Sequence, residues 1–129
     1  HHDATVHTHV LAVARLAWRI GLAWGLRLDE LVRGALLHDY FLYDWRREKP
    51  PGGGKHAWRH PEVALGNAER DFGPLTRSER DAILHHMWPL TLVPPLTREG
   101  WTVCLADKLV TCLEVYRIVA KAWHVSAVR

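Results

Sequence analysis

The stretch Ala35-Leu36-Leu37-His38-Asp39-Tyr40 ends an apolar run with two adjacent side chains that commonly bind metal ions. The apolar run predicts burial, and burying a histidine beside a carboxylate is costly unless both side chains gain a partner. A divalent metal ion is such a partner. Further candidate ligands occur at wide intervals along the chain: His9 upstream, and His60, His85, His86 and Asp107 downstream.

Regularly spaced apolar residues predict long helices at both ends of the chain. In the segment 4–24 they recur at three- and four-residue intervals, which is typical of an amphipathic helix. The last segment follows a proline-rich connector over 88–97 and runs to about Ser126. We expect its main apolar stripe to consist of Leu105, Leu109, Cys112, Tyr116 and Trp123.

Capping residues and a proline mark three helices between these segments. Asp29 is a candidate N-cap for a second helix that runs to about Tyr43. Pro61 suits the first turn of a third helix. Thr76-Arg77-Ser78-Glu79 is a capping box for a fourth helix, which ends near Met87. No segment has the alternating period of a strand, so the fold class predicted is a compact all-α bundle of about five main helices.

Length and composition favour a single domain over residues 1–129. No apolar stretch reaches the roughly 18 residues of a membrane span, so we expect no membrane partner. Cys104 and Cys112 lie about 12 Å apart along one helix, beyond disulfide reach. We therefore expect buried thiols and a cytoplasmic location. The net charge of +3 is compatible with nucleic acid or with a small anionic substrate.

Several candidate ligands lie on helix faces that point inward. His9 shares a face with Val13 and residues further along the same stripe, and His38 with Asp39 straddles an apolar face. Asp107 lies off the main stripe of its helix, between Val103 and Val110, which requires that helix to pack on two sides.

Two positions are less well defined by helical phase. His60 precedes Pro61, so we place it at or near a helix N-cap. His85 and His86 point about 100° apart on a helix, so both need not bind the same ion. Helical phase does not decide between them.

Each candidate taken alone has an ordinary explanation. A single histidine on an apolar face is usually a hydrogen-bonded core residue, and Asp107 alone is compatible with a cap or a salt bridge. The ordered set of His, His-Asp, His, His-His and Asp on separate helices favours a metal site.

This ordered set resembles the HD-domain superfamily of metal-dependent phosphohydrolases, whose pattern is H…HD…H…H…D. The resemblance extends from His9 to Asp107. It is closest to a compact, single-domain bacterial branch, whose members carry segments like those at 42–45 and 86–90. Two departures leave the substrate open: Tyr40-Phe41 follows His-Asp where many members have Ile-Gly, and Gly-Tyr-Pro does not follow His86.

The resemblance implies a centre of two divalent ions, with Asp39 as the bridge between them. One ion would be held by His9, His38, Asp39 and Asp107. The second would be held by His60 with one or both of His85 and His86. Histidine and carboxylate ligands suit Fe, Mn, Zn, Co or Ni.

Such a centre would activate a water for attack on phosphorus, with Asp39 and Lys108 as the candidate catalytic residues. Cationic side chains would stabilise the developing charge. Besides Lys108, the candidates lie in a glycine-containing loop, where the alternative is a solvated basic surface: Arg46, Arg47, Lys49, Lys55 and Arg59. Trp88, with Trp45 and Trp58, is close in sequence to proposed ligands. For these rings, filling the core is favoured over stacking on a nucleobase.

The function predicted is therefore a metal-dependent phosphohydrolase that acts on a nucleotide or another small phosphate ester. One alternative is an HD-fold di-iron oxygenase, whose ligand set is similar. Another is a non-catalytic module that senses a nucleotide or holds a structural metal. Nucleic-acid binding is disfavoured because no basic helix face is present.

Overall fold

A computed structural model describes residues 2–128, with side chains for 6–127. It contains five helices, and no strand occurs among residues 2–128. The helices are α1 (His2–Trp24), α2 (Leu28–Leu37), α3 (His56–Phe72), α4 (Arg77–Leu84) and α5 (Arg98–Val128). The predicted all-α fold is confirmed. None of the described helices is both long enough and apolar enough to cross a membrane.

Two clusters of buried side chains hold the helices together. The first joins α1, α2, α4 and α5, and the second joins α3 to α2 and α4. Small residues let the helices approach closely: a Cβ atom added at Gly34 would lie only 2.9 Å from the Cβ of Ala82. Close packing of α2 against α4 brings the end of α2 into the interior, where His38 is completely buried.

The second helix ends six residues earlier than predicted. It stops at Leu37, with His38 as the C-cap residue, and the predicted extension to Tyr43 is wrong. The backbone turns sharply here, because the amide of Phe41 donates to the carbonyl of Asp39 at 2.9 Å. The predicted cap at Asp29 is also wrong, since Arg27 occupies the N-cap position and Asp29 lies in the first turn. A carboxylate in that turn interacts favourably with the helix dipole.

The third helix begins before the position predicted for it. It starts at His56, after Lys55 in an extended conformation, so Pro61 lies inside the helix and not in its first turn. His60 is therefore an interior residue of α3, and the predicted N-cap position was wrong.

The fourth helix begins at the predicted capping box, with Thr76 and Glu79 bonding reciprocally. It ends at Leu84, three residues before Met87. The amide of His85 still bonds to the Asp81 carbonyl, but His85 itself has left helical geometry.

The last helix buries a different face from the one predicted. Its inward face consists of Val103, Ala106, Asp107 and Val110, all buried. The stripe predicted to be its main apolar face is exposed to solvent: Leu105, Leu109, Cys112, Tyr116 and Trp123. The prediction of a buried thiol is thus wrong for Cys112 and confirmed for Cys104. Periodicity detects an apolar face but does not determine what covers it.

Candidate metal centre

All five helices contribute to one cluster of histidines and carboxylates. His9 comes from α1, His38 and Asp39 from the end of α2, and His60 from α3. His86 follows the end of α4, and Asp107 lies on the inward face of α5. His38, His60, His86 and Asp107 are all buried.

Asp39 lies at the middle of this cluster, and its two oxygens face different histidines. Oδ2 lies 3.3 Å from Nε2 of His38 and 3.8 Å from Nε2 of His9. Oδ1 lies 3.4 Å from Nε2 of His60 and also 3.4 Å from Nε2 of His86. One carboxylate therefore connects two pairs of imidazoles.

Asp107 is associated with the first of these pairs. Its Oδ1 lies 2.8 Å from Nε2 of His9 and 3.4 Å from Nε2 of His38. The cluster therefore has two halves. His9, His38 and Asp107 form one half, His60 and His86 form the other, and Asp39 lies between them.

Backbone carbonyls fix the orientation of the three buried histidines. In each of these rings Nδ1 lies 2.6–2.9 Å from a carbonyl oxygen. A carbonyl can only accept, so Nδ1 donates and Nε2 of each ring points into the cluster, where it binds either a proton or a metal ion. The pairs are His38 with Ala35, His60 with His56, and His86 with Ile83.

Within the part of the chain that the structure describes, the inward-facing nitrogens of these three histidines are poorly paired. Among the described residues, Nε2 of His38 has no hydrogen-bonding partner, although the side chain is completely buried. Nε2 of His60 and Nε2 of His86 face each other at 3.0 Å. Ligands held about 2.1 Å from a common ion lie roughly 3.0–3.4 Å apart. The donor atoms and their spacing therefore fit divalent metal ions.

The charges in the cluster are mutually stabilising. Burial alone would raise the pKa of Asp39, but the charge of His38 and hydrogen bonds from the surrounding imidazoles hold it well below its usual range. Burial alone would lower the pKa of His38, yet Asp39 and Asp107 raise it well above 6.5. The pKa of Asp107 is likewise lowered, against the effect of burial, by His38 and His9. Both carboxylates are therefore ionised, as metal ligands must be.

Glu114, which the sequence analysis did not identify, supports His9 from outside the cluster. Its Oε1 lies 2.8 Å from Nδ1 of His9. Because Glu114 is seven residues after Asp107, both side chains project from the same face of α5. That spacing was a signal available in the sequence. Carboxylates in this position orient a ligand histidine and increase its basicity.

Asn67, also not identified from the sequence, holds the turn that carries the His-Asp pair. Its side-chain amide donates to the carbonyls of Tyr40 and Phe41, each at 3.1 Å. These bonds fix the backbone that follows Asp39 against α3.

The two adjacent histidines have different surroundings. His86 belongs to the cluster, whereas Nδ1 of His85 lies 2.8 Å from Oδ1 of Asp81. Asp81 also accepts from the backbone amides of Leu96 and Thr97 just before α5. His85 is thus part of a structural network that anchors the start of α5.

A cavity of about 840 Å³ opens onto the metal-ligand cluster. Its walls combine aromatic, cationic and apolar side chains: Trp45, Arg46, His56, Met87, Thr111, Val115, Arg117 and Ile118. Arg117, from the second half of α5, was not identified from the sequence. A volume of this size accommodates a small organic ligand.

A stack of three rings forms one wall of this cavity. Trp45 lies against His56 with ring centroids 5.0 Å apart, and His56 lies against His60 at 4.6 Å. Burial and the nearby His60 lower the pKa of His56 to about 4. His56 is therefore neutral near pH 7. Its Nδ1 lies 2.6 Å from the hydroxyl of Tyr43.

The residues predicted to bind substrate are distributed over several surfaces. Arg46 lines the cavity of the cluster, whereas Arg47 lines a neighbouring pocket. Lys55 is the N-cap residue of α3. Arg59 bonds to Glu62 and to the carbonyl of Pro51, away from the cavity.

Two further predicted residues, Lys108 and Trp88, line a separate apolar groove. The ammonium of Lys108 donates to the carbonyl of His86 at 2.8 Å and contacts the sulfur of Cys104 at 3.3 Å. The prediction that Trp45 and Trp58 fill the core is wrong, since they are 42% and 48% exposed.

A family model for the HD domain matches residues 6–112. The chain belongs to the HD domain family. The match includes every residue of the cluster, from His9 to Asp107. Membership in the HD domain family suggests a metal-dependent hydrolase-type function and the binding of divalent metals. The chain has no significant match among curated proteins or solved structures.

Proposed function

We propose that this HD domain is a two-metal phosphohydrolase that acts on a small phosphate ester, with a nucleotide as the favoured substrate class. The observation that carries the proposal is the position of Asp39, whose two oxygens face separate pairs of histidines. A carboxylate in this position bridges two ions. Paired ions are suited to in-line displacement at phosphorus.

The donor set divides between the two ions. His9, His38 and Asp107 would hold the first together with Asp39, and His60 with His86 would hold the second. Imidazole and carboxylate ligands suit Fe, Mn, Zn, Co or Ni. When bound, such ions lower the pKa of a coordinated water toward about 7 and neutralise charge on phosphoryl oxygens.

The side chains around the cavity would bind and orient the substrate. Arg46 and Arg117 line it on different elements, so together they can bind phosphate oxygens from two sides. Trp45 contributes an aromatic ring to the same wall, and the guanidinium of Arg46 lies over that ring, 5.3 Å from its centroid. Lys108 acts in this proposal as a positioning residue, because its ammonium holds the carbonyl of His86.

The test is a screen of phosphomonoesters and phosphodiesters, including nucleotides, with protein loaded with each candidate metal in turn. We expect release of phosphate or nucleoside that depends on metal. Asp39→Asn should abolish it, because an amide is a poor bridging ligand. Asp29→Asn removes the same charge from an exposed position in the first turn of α2 and should leave activity unchanged.

Two results would contradict the proposal. The first is an Asp39→Asn variant that retains hydrolysis. The second is activity that appears only with mixed-valence iron and oxygen, with no phosphate release under Mn²⁺ or Co²⁺, which would favour an HD-fold oxygenase. A protein that binds metal and nucleotide without turnover would instead indicate a sensing module.

A further inference from the structure

The second half of α5 exposes large apolar side chains to solvent, and they form a continuous line on the side opposite Asp107. The side that continues the buried face of Asp107 is mixed: it carries the charged Glu114, Arg117 and Lys121 together with the exposed apolar Ile118 and Val125. The outward line is apolar and exposed: Leu105, Leu109, Cys112, Tyr116, Val119 and Trp123. We call this second line the outer stripe. An isolated helix draws little stability from propensity alone, so an apolar outer stripe indicates that something packs on it.

The outer stripe continues into an apolar groove at the start of α5. The groove has a volume of about 480 Å³ and is lined by residues that include Trp24, Leu26, Trp88, Trp101 and Leu105. Trp88 packs edge-on against Trp101, with ring centroids 5.1 Å apart. One end of this surface is thus a concave site with aromatic walls. The other end carries a protruding indole, Trp123, which is 78% exposed.

We propose that the outer stripe and this groove form the interface of a homodimer, in which the α5 helices of two copies pack antiparallel. In a two-fold interface the same surface is used twice, so each protruding group must meet a recess on the other copy. Trp101 and Trp123 each lie eleven residues from Cys112. An antiparallel pair centred on Cys112 therefore places Trp123 of each copy at the groove of the other.

The exposed area is sufficient for a stable dimer. Trp24, Tyr116 and Trp123 are each at least 68% exposed, and Trp101 is 43% exposed. Together with the half-exposed leucines of the stripe they would bury roughly 900 Å² per copy, since aromatic side chains carry about 150–250 Å² each. A stable interface of standard size takes about 800 Å² from each partner. No charged residue lies on the outer stripe. The groove contains two cations, Arg98 and Lys108, and each already donates to a backbone carbonyl, that of Trp24 and that of His86 respectively.

The primary test is the mass of the unaltered protein by sedimentation at micromolar and submillimolar concentrations. We expect a dimer. Trp123→Glu should raise its dissociation constant about thirtyfold or more, as expected for an aromatic side chain that fills a pocket of the partner. Trp58→Glu is the matched control: Trp58 is exposed on α3, which does not contact α5 among the described residues, so this variant should remain dimeric. Circular dichroism of both variants checks that the helices are retained.

A second test uses the native thiols and requires no destabilising variant. Cys112 is exposed and would lie beside its symmetry mate, within disulfide reach, whereas Cys104 is buried. Diamide, which takes up the two electrons and two protons released, should produce a covalent dimer. Cys112→Ser should prevent its formation.

Three outcomes would overturn the proposal. They are a monomeric mass at both concentrations, a dimer unaffected by Trp123→Glu, and a dimer that forms no Cys112 disulfide. A monomer that sediments with anionic phospholipid vesicles would identify a lipid surface as the occupant of the stripe. A monomer that does not bind vesicles would indicate another protein or another segment of polypeptide.

Discussion

The ε-nitrogens of His60 and His86 lie 3.0 Å apart, and the δ-nitrogen of each ring is already engaged with a backbone carbonyl. Two rings held in this way, with no proton on either Nε2, would direct lone pairs at each other. Such an arrangement is stable only when a proton or a metal ion lies between the rings. The fold therefore favours a cation at this position, and loading of metal should release protons.

The metal-free protein should lose stability as the pH rises. Although burial lowers the pKa of His9 and His38, contacts with Asp107 and Asp39 raise both above 6.5. The stabilisation from a raised histidine pKa is complete below the unfolded value of 6.5 and is lost as the pH rises through the folded value. In the presence of a chelator, the thermal midpoint should therefore fall as the pH rises above about 6.5.

Bound metal should reverse the pH dependence of the protein's thermal stability. Deprotonated imidazoles bind metal better, so the difference in thermal midpoint between metal-loaded and chelated protein should widen as the pH rises. At the acid end, the lowered pKa values of Asp39 and Asp107 give stabilisation that is lost as the pH falls below 3.8. A chelated protein whose midpoint rises steadily toward alkaline pH would contradict the proposed pairing.

Substitution of the two adjacent histidines should have opposite consequences. His86→Gln removes a nitrogen 3.4 Å from Oδ1 of Asp39, so we expect loss of one ion per chain and at least a hundredfold decrease in kcat, on the order expected for a lost metal ligand. His85→Gln should retain both ions, because His85 bonds to Asp81 outside the cluster. Elemental analysis after dialysis measures the difference. Equal metal loss in the two variants would argue against this arrangement.

Glu114 should affect metal affinity without contacting the metal. Glu114→Gln replaces the charged acceptor of the hydrogen bond from Nδ1 of His9 by a neutral one. We expect the affinity for the first ion to fall about 10–100-fold while the helices are retained. Glu48→Gln, which makes the same change on an exposed loop, is the control. Metal titration by calorimetry gives both affinities. An unchanged affinity in Glu114→Gln would show that this carboxylate does not orient His9.

The cavity arginines should act mainly on substrate binding. Arg46→Ala and Arg117→Ala each remove a cation from the wall of the cavity, and we expect KM to rise about tenfold, the scale of one charge-assisted hydrogen bond. Arg77→Ala, an exposed change at the start of α4, should leave KM unchanged. If only kcat decreases, these side chains act in the transition state and not in initial binding.

The sequence identified the residue types of the centre because histidines and aspartates on inward helix faces leave a periodic signal. It did not decide between His85 and His86. The chain leaves helical geometry at His85, so the rotation of about 100° between adjacent helical residues does not apply there. The roles of Arg46, Arg47 and Arg59 depend on loop geometry, which hydrophobic periodicity does not encode. Gly54, with φ of +83°, packs its loop against Arg59 and turns that side chain away from the cavity.

The largest error concerns α5, and it has a single physical cause. Periodicity located the apolar stripe through Tyr116 and Trp123, but an apolar face is equally compatible with the chain's own core and with a partner. With that stripe assigned to the core, periodicity gave no reason to place two residues of the opposite face near the metal centre. Glu114 and Arg117 lie on that face.

The most direct measurement is the number of metal ions per chain after equilibrium dialysis against Mn²⁺. We expect two ions for the unaltered protein, two for Asp29→Asn, and fewer than one for Asp39→Asn, because both ions would depend on the same carboxylate. An unaltered protein that binds no metal, or an Asp39→Asn variant that retains two ions, would contradict the proposed centre.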